Sequence, residues 1–118
     1  MIRIEDIAAE ALQYHSLQVR NLLQTFLQEE QVFADIPQPQ TSDGNLLALS
    51  AAFLELLSER SQQRAPAWTA KIGAAQHPIF LVEAANRMPR LRTLCEQAAP
   101  EPLRKRQIYA PPNYLMLV

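Results

Sequence analysis

Wound at 3.6 residues per turn, the stretch NLLALSAAFLELL from Asn45 to Leu57 places apolar side chains around almost its whole circumference, so it predicts a helix buried on several sides. Ahead of it, Ile4, Ile7, Ala8, Ala11, Leu12, Val19, Leu22, Leu23, Phe26 and Phe33 recur at three- and four-residue steps. This stripe predicts one long first helix from Ile4 to about Phe33. A bend or break is expected near Tyr14, His15 and Ser16, because all three have middling propensity and Ser16 can bond back to the backbone. Glu5, Asp6 and Glu10 suit the positive end of that helix, whereas Glu29 and Glu30 sit near the wrong end and call for cationic company.

The segment ADIPQPQTSDG from Ala34 to Gly44 reads as a proline-stiffened loop, and Thr41, Ser42 or Asp43 can cap the helix that follows. That helix should run to about Gln63, before Pro66 forbids continuation. Further on, Pro78 precedes IFLVEAAN, Pro89 precedes RLRTLCEQAA and Pro102 precedes LRKR, each where a first-turn residue loses no hydrogen bond, so three short helices are expected. Pro111 and Pro112 stop regular structure ahead of the terminal NYLMLV. The fold class expected is all-α: a small helical bundle of two longer helices packed with several short proline-initiated ones, forming a single domain over residues 1–118. In its core Leu12, Val19, Leu22 and Phe26 should pack against Leu46, Leu49, Phe53 and Leu56, with Trp68 closing one end. The seven-residue spacing of Leu12, Val19, Phe26 and Phe33 also offers a stripe for a homodimer.

Composition narrows the class. A chain of 118 residues, 48% of them hydrophobic, can build a core without a metal or disulfide staple. Cys95 is the sole cysteine, which excludes an intrachain disulfide. The start MIRIEDIAAEA carries acids where a secretory signal has a basic region, and no apolar run approaches the roughly 18 residues of a membrane span. The expectation is a soluble, cytoplasmic protein that does not engage a membrane.

The net charge of −1 hides two opposed halves. Residues 1–59 hold nine acids against two bases, a net of −7, while residues 60–118 hold nine bases against three acids, a net of +6. One consequence is internal neutralisation, with the bases pairing to Glu29, Glu30, Glu55 and Glu59. The other is a docking surface. Arg87, Arg90 and Arg92 are followed by Arg104, Lys105 and Arg106, with Tyr109 and Tyr114 close behind. Arginine and tyrosine concentrate binding energy at interfaces, and a proline-stiffened backbone loses less entropy on docking. Arg104, Lys105, Arg106, Tyr109 and Tyr114 are therefore the candidate partner-binding residues. A nucleic acid is the alternative partner, since arginine forks suit phosphate and aromatic rings stack on bases. A pI near 6.1 and the lack of a helix-turn-helix or zinc-finger pattern weigh against it.

Catalytic and cofactor signatures are missing. His15 lies beside the apolar stripe of the first helix and His77 precedes Pro78, and with Cys95 they fall short of any zinc spacing. Cys95 with His15 or His77 is the one conceivable nucleophile pair, though a cysteine between Leu94 and Glu96 is more often a small packing residue. Two isolated glycines, Gly44 and Gly73, provide no phosphate loop. No catalytic, cofactor-binding or metal-ligating residue is assigned, and no cofactor is expected.

PAW at Pro66 to Trp68, PIFL at Pro78 to Leu81, LRTL at Leu91 to Leu94 and LRKRQIYAPPNYL from Leu103 to Leu115 resemble the C-terminal part of short uncharacterised bacterial helical proteins. Some of those accompany toxin-like nucleotidyltransferases as partners or antitoxins. The likeness covers under half of the chain, and the first 65 residues match no such pattern. It implies a bacterial interaction protein and carries over no catalytic residue. The arginine and histidine motif of helical toxin nucleases is absent in its usual spacing. The function expected is thus a non-enzymatic protein–protein interaction or regulatory role of the antitoxin kind. The alternative is a nucleic-acid-associated factor using the basic C-terminal half.

Overall fold

The computed structural model describes residues 1–29 and 32–116, so Glu30 and the last two residues of NYLMLV lie outside the described residues. Helix α1 spans Ile4–Leu12 and α2 spans Ser16–Gln28. The apolar stripe is therefore two helices, broken where propensity is weakest. Tyr14 takes the left-handed conformation at φ 60°, and its N–H and that of His15 reach back to the carbonyls of Ala11 and Glu10. These are the paired bonds that close a helix by a Schellman turn, here without glycine. At the start of α1, the Asp6 carboxylate accepts from the Arg3 N–H at 2.9 Å.

Helix α3 spans Gly44–Arg60, with Asp43 accepting from the N–H groups of Asn45 and Leu46 as its cap. It is buried on nearly every side from Ala48 to Ser58, as its continuous apolar surface requires. Helix α1 packs against both α2 and α3. Val19, Phe26, Leu49, Phe53 and Leu56 are buried in one cluster with Ile4, Ile7 and Leu23, and Leu12, Leu22 and Leu46 are half-buried against it. Val19, Phe26 and Phe33, the stripe on which a homodimer was expected, are thus covered by the chain's own core. Trp68 is half-buried and donates its indole N–H to the Ile36 carbonyl at 2.8 Å, tying the proline loop to the 3-10 turn Ala67–Lys71.

The second half departs from an all-helical reading. Pro89 opens helix α4, Pro89–Ala98, and Pro102 sits in the first turn of the short α5, Glu101–Arg104. Pro78 instead leads into a strand, β1, Ile79–Phe80, followed by a 3-10 turn at Glu83–Asn86. Strand β1 pairs in parallel with β2, Ile108–Tyr109, placing Ile79 opposite Ile108 and Phe80 opposite Tyr109. Flanking bonds from the N–H groups of Ala75, Ile79 and Leu81 to the carbonyls of Arg106, Gln107 and Tyr109 extend the ladder. The molecule is broadly helical with this one small parallel sheet among the described residues. A second apolar cluster, Phe80, Ala85 and Cys95 with Leu91 and Tyr109 against it, seats α4 on the sheet. The radius of gyration, 13.3 Å, is that of a compact chain of this length. Among the described residues, no helix is long and apolar enough to cross a membrane.

Candidate functional site

The basic run after Pro102 divides between interior and surface. Arg106 is 2% exposed and grips Glu55 of α3 with both prongs of its guanidinium, Nη1 to Oε1 at 2.7 Å and Nη2 to Oε2 at 3.0 Å. The same two nitrogens donate to the carbonyls of Pro102 at 3.0 Å and Thr69 at 2.9 Å. Lys105 adds a contact from Nζ to Glu55 Oε1 at 2.9 Å. Burial alone would raise the Glu55 carboxyl, but hydrogen bonds from Arg106 and Lys105 and the guanidinium charge outweigh it and hold the group at about 2. This arrangement stitches α3, α5 and the 3-10 turn at Ala67–Lys71 together, so Arg106 is a structural cation in the described fold.

The other four candidates lie apart from it. Arg104 is exposed and donates from Nη1 to the Gln97 carbonyl at 2.9 Å, which joins the end of α4 to α5. Lys105 keeps 45% of its side chain in solvent. Tyr109 is half-buried against Phe80, ring centroids 5.2 Å apart, and the Arg92 guanidinium lies 4.3 Å from the Phe80 centroid on the same ring system. Tyr114 packs against Phe53 at 6.0 Å, and burial pushes its phenol above the usual range. Arg60 fixes that segment by donating to the carbonyls of Tyr114 and Pro112.

What reaches the surface is a face made of α4 and the turn after α5. On α4 the exposed Arg90, Leu94 (45% exposed) and Gln97 recur at four- and three-residue steps on one face, which Arg104 joins through its bond to Gln97, and Lys105 is exposed next to Arg104; Met88, 53% exposed, stands at the start of the helix around from Leu94. Arg92 has a long contact to Glu96 at 3.8 Å, one turn along the helix. The exposed acids Glu83, Glu96 and Glu101 are interspersed. Sequence reading captured these arginines, but not Phe80, Met88 or Leu94. Leu94 falls off the Leu91–Cys95 stripe, which is the signal that marks it as outward-facing, whereas Met88 is in register with that stripe and is exposed because it stands at the N-cap, ahead of the helix.

The remaining candidates are dispersed. Cys95 is fully buried among Phe80 and Ala85, and burial, with Glu96 beside it, pushes its thiol up. His15 precedes α2 and its Nδ1 lies 2.6 Å from Glu10 Oε2, while His77 is exposed ahead of Pro78. Both histidines are exposed, whereas Cys95 is buried. Glu29, in place of a cation, accepts the N–H of Ile2 at 2.9 Å. Among the described residues no three His, Cys, Asp or Glu side chains form a metal-holding group. Compared with known proteins, the chain matches no family model, no curated protein and no solved structure.

Proposed function

We propose that this chain is a non-enzymatic bacterial regulatory protein of the antitoxin kind, working in the cytoplasm by docking another protein on the face of α4, Arg104 and Lys105. The single observation that carries the reading is the mixture on that face: exposed Leu94 one turn after exposed Arg90, with exposed Arg104 held beside them through Gln97. Arginine is enriched at protein interfaces, where apolar side chains supply burial and charged groups supply register. The bond from Arg104 to Gln97 makes α4 and the α5 turn one continuous surface. The antitoxin-like role rests on the sequence resemblance of the C-terminal half.

Interspersed Glu83, Glu96 and Glu101 favour a protein over a nucleic acid, because a phosphate backbone would meet those carboxylates as it met the arginines. The test is recovery of a partner with the tagged chain from its native cell, with and without nuclease. A protein retained after nuclease and shielding α4 from hydrogen exchange supports the proposal. A partner that vanishes with nuclease and weakens steeply with salt would replace it with nucleic-acid association.

A further inference from the structure

Helix α2 meets solvent with less charge than any other helix of the described fold. Nine of its thirteen residues are exposed, and Arg20 is the only charged one. Helices α1 and α4, both shorter, carry three charged residues each. Exposed surfaces of soluble domains usually hold about 25–35% charged residues, and loss of charge marks the core of an interface. Large apolar side chains stand in this charge-poor surface: Leu17 is 70% exposed and Leu27 39%. Met116, 52% exposed, lines a shallow hollow together with Arg20 and widens the patch on that side.

The order of the exposed residues suits a second copy of the same helix. Leu17, Arg20, Gln24 and Leu27 follow at steps of three, four and three residues, so they share one face beside the buried stripe of Val19, Leu23 and Phe26. This spacing reads the same in both directions. Two such helices laid antiparallel about a two-fold axis level with Leu22 set Leu17 against Leu27 of the other copy and Arg20 against Gln24, each contact made twice. A parallel pair would set Arg20 against Arg20. Charge also favours the antiparallel order. The last turn of α2 holds no basic residue, and Glu29 follows it with one carboxylate oxygen accepting the Ile2 N–H. Among the described residues no basic side chain pairs with Glu29. Opposite Gln24, the long Arg20 side chain stands one turn from that end, where the negative pole of the helix and the Glu29 carboxylate both favour a cation.

We propose that α2 is a contact between two copies of this chain, paired antiparallel through Leu17, Arg20, Gln24 and Leu27. It uses none of Arg90, Leu94 or Arg104, so it stands or falls apart from the docking face of α4. One helix on another covers less than the roughly 800 Å² a side of a standard interface, so the dimer is a transient one with a Kd between about 10 µM and 1 mM. Sedimentation equilibrium of the full chain across that range should show a mass approaching twice 13.4 kDa at the upper end. Leu17→Glu and Gln18→Glu place the same charge in the same first turn, at exposed positions where an acid suits the helix dipole and the fold is kept. Leu17→Glu should weaken association by about tenfold or more, because its carboxylate is set against Leu27 and near Glu29 of the other copy. Gln18→Glu, on the opposite side of the helix from this face, should leave it unchanged. Orientation is read by oxidative cross-linking, for which the native Cys95 is buried: a mixture of Leu17→Cys and Leu27→Cys chains should link faster than either chain alone. A parent that stays monomeric to about 1 mM, or a Leu17→Glu variant that associates as the parent does, would overturn the proposal. Faster linking of Leu17→Cys to itself would overturn the antiparallel order.

Discussion

Glu55 of α3 receives both prongs of Arg106, fifty-one residues later, at 2.7 and 3.0 Å, and this pair is what fastens the C-terminal half to the central helix. Removing one member strands the other. Glu55→Ala should lower stability by about 3 kcal/mol, since an ion left buried without its partner is costly, whereas Glu55→Leu with Arg106→Met should recover most of that loss. Urea denaturation of the single and double variants checks both parts. A single variant as stable as the parent would show that solvent reaches Arg106 freely.

The same pair sets an acid limit. With its folded-state value held at about 2 against 4.5 ordinarily, Glu55 contributes stability that is present above pH 4.5 and is lost as pH falls from there toward 2. The stability difference between the parent and Glu55→Gln should therefore shrink steadily across that window. Urea midpoints at several pH values measure it, and a difference independent of pH would contradict the assignment.

Phe53, fully buried at the centre of α3, should cost about 3–5 kcal/mol on replacement by alanine, the range for a large cavity in a close-packed core. Thermal or urea unfolding reads the loss directly. An unchanged midpoint would remove Phe53 from the core.

Gln62 closes α3 in the left-handed conformation at φ 56°, with its N–H bonded to Glu59 and that of Gln63 to Ser58. It is exposed and has a Cβ where glycine is ordinarily preferred. Gln62→Gly should stabilise by about 0.5–1 kcal/mol, relief of left-handed strain exceeding the added chain entropy. A raised melting temperature supports that balance; a lowered one would reverse it.

Helix α3 was readable because apolar residues on every side admit only a buried helix, and the break between α1 and α2 because Tyr14, His15 and Ser16 weaken a helix together. Strand β1 was not. Two residues give no periodicity, and Pro78 is equally compatible with a helix start and with the extended backbone that Ile79 and Phe80 adopt once Ile108 and Tyr109 lie alongside. The candidate site was legible as a charge imbalance only. Arg104, Lys105 and Arg106 are alike in sequence, and the one that turns inward is selected by Glu55 and the carbonyls of Thr69 and Pro102, contacts set by tertiary packing. Leu94 becomes a candidate only because Leu91 and Cys95 take the inward face of α4 and turn it outward.

The proposed docking role is tested most directly by the paired substitution Arg90→Glu with Arg104→Glu, both at exposed side chains outside the Glu55 pair. Recovery of the protein partner from the native cell is compared between this variant and the parent, after circular dichroism and melting establish that the variant is folded. The account predicts a folded protein that has lost its partner, because reversing charge at an arginine-rich interface both removes attraction and adds repulsion. Undiminished recovery of the partner by the folded variant would contradict it.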